Sequence, residues 1–124
     1  MTIQESAEMY LETIHVLSQN NKNVRAIDIC RKMGFSKPSV SRAMKNLSAE
    51  DYINVDSNGY ITLKEKGKAI AEKIYERHEI LTRCLRYLGV DDKTAEDDAC
   101  RVEHVISDET FKAIKNHIKN YKPE

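Results

Sequence analysis

Two short β-rich runs, Tyr52-Ile53-Asn54-Val55 and Tyr60-Ile61-Thr62-Leu63, flank Asp56-Ser57-Asn58-Gly59. Asn-Gly between such runs is a strong hairpin signal, because both residues tolerate the positive φ of a tight turn. Three helical patterns precede it. The first runs from Ser6, read as its N-cap, to Gln19, with Met9, Tyr10, Thr13, Ile14 and Leu17 at helical spacing. After the loop Asn20-Asn21-Lys22-Asn23, a short helix from Arg25 to Met33 puts Ala26, Ile29, Cys30 and Met33 on one side. Gly34 follows where a left-handed C-cap belongs, and Ser36 caps a third helix that tolerates Pro38 in its first turn and reaches about Ala49. Helix, helix-turn-helix and hairpin is the order of a winged helix.

The rest of the chain reads as helix. Lys64 to Leu88 forms a long one ended by Gly89, with Gly67 in its first turn pointing to a start a few residues late. Asp91 or Asp92 caps the next, which is expected to reach Ile106. Ser107-Asp108-Glu109 caps the last, whose apolar stripe is Phe111, Ile114 and Ile118 and which Pro123 stops. The expected architecture is mainly α. A winged helix-turn-helix over residues 1–72 precedes an all-helical domain over residues 73–124, with the long helix shared across the boundary.

The formal net charge is zero, yet charge is segregated. Between Lys22 and Lys45 seven basic residues face Asp28 alone; between Asp91 and Glu109 eight acidic residues face two basic ones. The first block can meet phosphate and the second can hold a cation, although both can also be solvated helix surfaces. There is no run of eighteen apolar residues, and the N-terminus has no signal-peptide pattern, so a cytoplasmic protein that does not engage a membrane is expected. Three scattered cysteines, Cys30, Cys84 and Cys100, argue for reduced thiols. Neither HExxH, a nucleophile motif nor a Gly-rich phosphate loop occurs, which argues against an enzyme and a small-molecule substrate.

Arg25, Ser36, Lys37, Pro38, Ser39, Ser41, Arg42 and Lys45 form the candidate DNA-contacting set. Short polar residues at the start of the third helix let it approach a duplex closely, and the serines can bond phosphate or base edges. Arg42 can reach a guanine with two hydrogen bonds, while Lys37, Lys45 and Arg25 suit phosphates. The bland reading is ordinary capping and surface charge.

Cys100, Glu103 and His104 stand at i, i+3 and i+4, which on a helix puts thiol, carboxylate and imidazole on one face. Met9 and Glu12 share a face of the first helix, and His78 lies on the long helix, so three helices could bring six donors together. Each has a plain alternative. Met9 and Cys100 could be core, Glu12, Glu103 and His104 surface, and His78 a partner of Glu79 or Asp98.

Glu8-Met9-Tyr10-Leu11-Glu12-Thr13-Ile14, Arg77-His78-Glu79, Leu88-Gly89-Val90-Asp91 and the stretch from Asp97 to Glu109 resemble, in order, segments of the iron- and manganese-dependent repressors of the diphtheria toxin repressor family. The resemblance spans nearly the whole chain. It implies a homodimer that binds a palindromic operator in double-stranded DNA when loaded with a divalent metal, with residues 1–72 as the DNA-binding domain and residues 73–124 as the dimerisation and metal-binding domain. The iron branch's activating ligands fall on Met9, Cys100, Glu103 and His104, and a histidine of its ancillary site falls on His78. Thr82 and Glu96 replace two other ancillary ligands. Glu12 matches a bridging glutamate of the manganese branch, which has carboxylates where this chain has Met9 and Cys100. The SH3-like third domain of many iron regulators is expected to be absent.

Softer sulfur donors disfavour Mn²⁺ relative to Fe²⁺, Co²⁺, Ni²⁺ or Zn²⁺. Fe²⁺ is therefore the expected ion and Mn²⁺ the second choice, with Co²⁺, Ni²⁺ or Zn²⁺ binding in vitro. The expected function is a metal-dependent transcriptional regulator, a repressor, controlling metal homeostasis genes. An ion joining the first helix to the helical tail would set the spacing of two recognition helices in a dimer closed by Leu85, Leu88, Val105 and Phe111. The alternative is a winged-helix regulator with no metal response, in which replacing Cys100 and His104 together leaves DNA affinity unchanged.

Overall fold

The computed structural model describes the backbone of residues 3–21 and 23–120 and the side chains of residues 6–21 and 23–118. Lys22 and Pro123, which entered the sequence reading, lie outside the described residues. The element order is α1 (Ile3–Asn20), α2 (Ala26–Met33), α3 (Lys37–Ala49), β1 (Ile53–Val55), β2 (Ile61–Leu63), α4 (Glu65–Tyr87), α5 (Asp92–Val102) and α6 (Asp108–Asn120). This is a winged helix-turn-helix followed, among the described residues, by helices only. The chain divides into two compact units, Met1–Glu72 and Lys73–Glu124.

In the first unit Tyr10, Leu11, Ile14, Val24, Ile29, Val40, Met44, Leu47, Ile53, Ile61 and Ala71 make one buried core. Burial pushes the Tyr10 hydroxyl pKa up, and neighbouring Cys30 adds to the shift. The helix-turn-helix follows the sequence rules. Gly34 takes φ 73° and its N–H donates to the Cys30 carbonyl at 2.8 Å, closing α2. Ser36 is extended and its Oγ accepts from the Ser39 N–H at 3.3 Å, opening α3 with Pro38 in the first turn. Ser6 does not cap α1, which already starts at Ile3. No helix breaker stands before Ser6, and serine is tolerated inside a helix.

The strands pair antiparallel as Ile53–Leu63, Asn54–Thr62 and Val55–Ile61. The wing loop is wider than a two-residue Asn-Gly turn. Asp56 Oδ1 accepts from the N–H groups of Asn58 and Tyr60, both at 2.9 Å, and Gly59 takes φ 83°. An aspartate organising the backbone ahead of it is an Asx-type turn, and it closes this loop. The wing is tied back to the helix-turn-helix by the Ile61 N–H, which donates to the Val24 carbonyl at 2.8 Å.

Gly67 does not delay α4, which begins at Glu65. Its role is close approach: a Cβ there would collide with the Tyr52 carbonyl oxygen and stand 3.3 Å from Leu11 Cδ2. That carbonyl also accepts from the Lys64 N–H at 3.0 Å. Only glycine lets the first turn of α4 lie against the hairpin entry.

In the second unit Ile74, Leu81, Ala95, Ala99, Phe111 and Ile118 are buried. Gly89, at φ 96°, ends α4 as expected, with the Val90 N–H donating to the Leu85 carbonyl at 3.0 Å. Asp91 caps α5, and its hydrogen bonds from Thr94 hold its carboxyl below the ordinary value. α5 stops at Val102, four residues before the expected Ile106, and Glu103-His104-Val105 forms a turn. Ser107 then caps α6, its Oγ accepting from the Thr110 N–H at 3.1 Å.

Candidate functional site

The early end of α5 has a cause on α4. Arg77 is only 6 % exposed. Its Nη1 donates to the carbonyl oxygens of Glu103 at 3.0 Å and of Ile106 at 2.8 Å. Its Nη2 pairs with Asp108, and its guanidinium lies 5.4 Å from the centre of the Phe111 ring. Carbonyls that a continuing helix would use internally go to a buried cation instead, so the chain turns at Glu103. Asp108 is held below the ordinary carboxylate range, first by its hydrogen bond and charge interaction with Lys73 and then by Arg77.

The residue after Arg77 engages the same turn. His78 Nδ1 stands 2.9 Å from Glu103 Oε2, and His104 Nε2 stands 3.2 Å from Glu103 Oε1. Glu103 is fully buried and the His104 side chain is 5 % exposed, so neither is a surface residue. His78 thus pairs with Glu103, a partner not expected from sequence. A buried carboxylate with an imidazole at each oxygen is expensive to form in an apolar interior unless it is paired or ligates a cation. Carboxylate and imidazole are also ligand types that a divalent transition ion takes, so this donor set fits one.

Cys100 is exposed, three residues before Glu103 on the last part of α5, and is not a core cysteine. Met9 and Glu12 are half-buried on α1 in the first unit. Thr82 is buried and donates to the His78 carbonyl at 2.7 Å, while Glu96 is exposed on α5. Of the residues expected to close a dimer, Leu88 and Val105 are 74 % and 68 % exposed and Leu85 is half-buried. Phe111 is buried beneath Arg77 inside this chain and offers no surface.

On α3 the division is sharp. Val40, Met44 and Leu47 are buried, whereas Lys37, Pro38, Ser41, Arg42 and Lys45 are exposed. Among the described residues no carboxylate pairs with Lys37, Arg42 or Lys45. Ser36 and Ser39 share a 2.9 Å hydroxyl hydrogen bond at the helix start. Arg25 lies 4.7 Å over the Tyr60 ring, joining the start of α2 to the wing, a link not expected from sequence.

Sequence reasoning also missed Arg77 as part of the site. The available signal was positional: Ile70, Ile74 and Leu81 form an apolar stripe on α4, and Arg77 occupies the stripe position between the last two. A charge there must find buried partners.

Comparison with known proteins bears on these geometries. Residues 2–69 match the N-terminal DNA-binding domain of iron-dependent repressors, and residues 64–123 match the metal-binding and dimerisation domain of the same family. An uncharacterised HTH-type transcriptional regulator of Methanocaldococcus jannaschii is 32% identical over 122 residues, covering 97% of this chain and 98% of that protein. The HTH-type transcriptional regulator MntR of Bacillus pumilus is 31% identical over 102 residues, covering 82% of this chain and 71% of its own. The structure of the manganese regulator SloR superposes with a TM-score of 0.80 at 27% identity, covering 98% of this chain. This chain spans 56% of the SloR chain, about half its length. With both halves matched in order across nearly every residue, the chain belongs to the iron-dependent repressor family of metal-dependent transcriptional regulators, that of the diphtheria toxin repressor.

Proposed function

We propose that this chain is a metal-gated repressor that binds a palindromic operator as a homodimer. Residues 1–72 read DNA and residues 73–124 bind metal and dimerise. The observation that carries the reading is the buried Glu103 carboxylate held between His78 and His104. Met9 and Glu12 of α1 and Cys100 of α5 complete the ligand set. A bound ion supplies a positive charge that ties these donors together. Fe²⁺ is the favoured ion because Met9 and Cys100 contribute soft sulfur donors. Mn²⁺ is the second reading, favoured by Glu12 and by the manganese regulators among the structural relatives.

The DNA contacts follow from the exposed face of α3. Arg42 reads a base edge, and Lys37, Lys45 and Arg25 hold phosphates. Ser36, Ser39 and Ser41 line the approach, with Pro38 fixing the helix start. Two such helices must stand one duplex turn or a multiple apart, so metal switches binding by favouring the arrangement with that spacing. The chain carries no catalytic role in this reading.

Anaerobic fluorescence anisotropy on native promoter DNA, with Fe²⁺ and Mn²⁺ titrated separately against a chelated control, tests the proposal. Tight binding only with metal is the expected result, Fe²⁺ being the more effective ion. Equal binding with and without chelator leaves a constitutive winged-helix regulator.

A further inference from the structure

We infer that Arg77 is the positioning residue of the metal centre: it holds the turn that carries Glu103 and His104, and it links that turn to the start of α6. The inference rests on the metal-binding reading above and concerns a residue that is not itself a ligand.

Four contacts converge on one buried guanidinium. Nη1 takes the carbonyls of Glu103 and Ile106, at 3.0 and 2.8 Å, which lie at the two ends of the turn. Nη2 takes Asp108, the first residue of α6, and the planar group lies over Phe111 of the same helix. These contacts fix the backbone at residue 103 and again at residue 106, so the segment that presents His104 is clamped on both sides. From the next position of α4, His78 holds the Glu103 carboxylate at 2.9 Å. The backbone and the side chain of Glu103 are therefore set by consecutive residues of one helix.

Arginine suits this place for a chemical reason. Its rigid fork presents several donors in one plane and cannot lose its proton in a protein. A lysine ammonium is a point charge; it can reach one carbonyl or Asp108, but it cannot reproduce the fork or the stack on Phe111. Arg77→Lys therefore keeps the charge and removes the geometry. Residues that only orient metal ligands typically alter affinity by about 10–100-fold when replaced.

The experiment uses the full chain, with Co²⁺ added anaerobically as the probe and its visible absorption as the readout of ligand geometry. Far-UV circular dichroism and thermal melting are recorded alongside. Arg77→Lys is expected to keep the helical spectrum, to weaken Co²⁺ binding by about 10–100-fold and to change the shape of the cobalt spectrum. A purely structural arginine moves the melting temperature and leaves the cobalt spectrum alone; unchanged affinity and spectrum in a folded Arg77→Lys chain overturn the inference. Asp108→Asn, at an exposed carboxyl, loosens Arg77 from one side and is expected to weaken Co²⁺ about threefold, in keeping with the modest worth of an exposed pair. Should Arg77→Lys fail to fold, Asp108→Asn decides, and an unchanged Co²⁺ affinity there overturns the inference. Absence of Co²⁺ binding by the unaltered chain sinks the metal reading itself, a different outcome from a binding site indifferent to Arg77.

Discussion

Arg77 Nη1 donates a 3.0 Å hydrogen bond to the carbonyl oxygen of Glu103. Through it a residue in the middle of α4 decides where α5 ends. The turn it creates carries the two residues, Glu103 and His104, on which the metal reading depends most.

Glu103→Gln preserves size and part of the hydrogen bonding to His78 while removing the anion. Apo chain of this variant is expected to stay folded, and its affinity for Fe²⁺ or Mn²⁺ to fall by roughly 100-fold or more, since neighbours that only orient ligands already contribute about 10–100-fold. Calorimetric titration under anaerobic conditions reads this directly. Metal binding at unaltered strength would place the site elsewhere in the chain.

Gly67→Ala tests close packing at the start of α4. Helix propensity alone favours alanine by about 1 kcal/mol. The Tyr52 carbonyl in the path of the new methyl reverses the sign, because backbone cannot swing aside as a side chain can. The expected outcome is destabilisation by about 1–3 kcal/mol, in the range of overpacking changes, measured by urea unfolding. A stabilised variant would show that the hairpin entry yields freely.

Two substitutions on α3 separate reading from folding. Arg42→Ala is expected to weaken operator binding by about 1–3 kcal/mol at the base it contacts and to leave stability within roughly 0.5 kcal/mol. Ser36→Ala removes the N-cap and is expected to lower stability by about 1 kcal/mol whatever it does to DNA. Paired anisotropy and unfolding measurements distinguish them; equal operator affinity with and without Arg42 removes it from the contact set.

The acid response of the second unit is expected to involve Asp108. Its folded pKa is depressed, by Lys73 first and Arg77 second, from the ordinary value of 3.8. A depressed carboxyl contributes stability that is fully present above its unfolded pKa and is lost as pH falls through its folded pKa. Asp108→Asn is therefore expected to melt at a lower temperature than the unaltered chain at neutral pH, with the difference closing below pH 3.8. A gap that persists in acid would assign the effect to hydrogen bonding rather than to charge.

The elements governed by neighbours in sequence were legible. Gly34, Ser36 and Gly89 each act within a few residues, and each does what its local chemistry requires. Two of the departures come from contacts made over longer separations. The end of α5 depends on Arg77, twenty-six residues away from Glu103, and Gly67 answers to Tyr52. The same limit applies to the site. Spacing picked out Glu103 and His104 as neighbours, but only the fold shows Glu103 buried and His78 on its second oxygen. Sequence offers Phe111 to a dimer interface because a stripe of apolar residues does not say which side of it the chain covers for itself.

α3 keeps its structural obligations and its outward chemistry on separate faces. Val40, Met44 and Leu47 answer to the core, while Lys37, Ser41, Arg42 and Lys45 stand exposed. Mutations on the outward side thus carry little penalty for the scaffold, whereas those on the inward side are held fast. A lineage built on such a helix can drift to new target sequences one side chain at a time without passing through an unfolded ancestor.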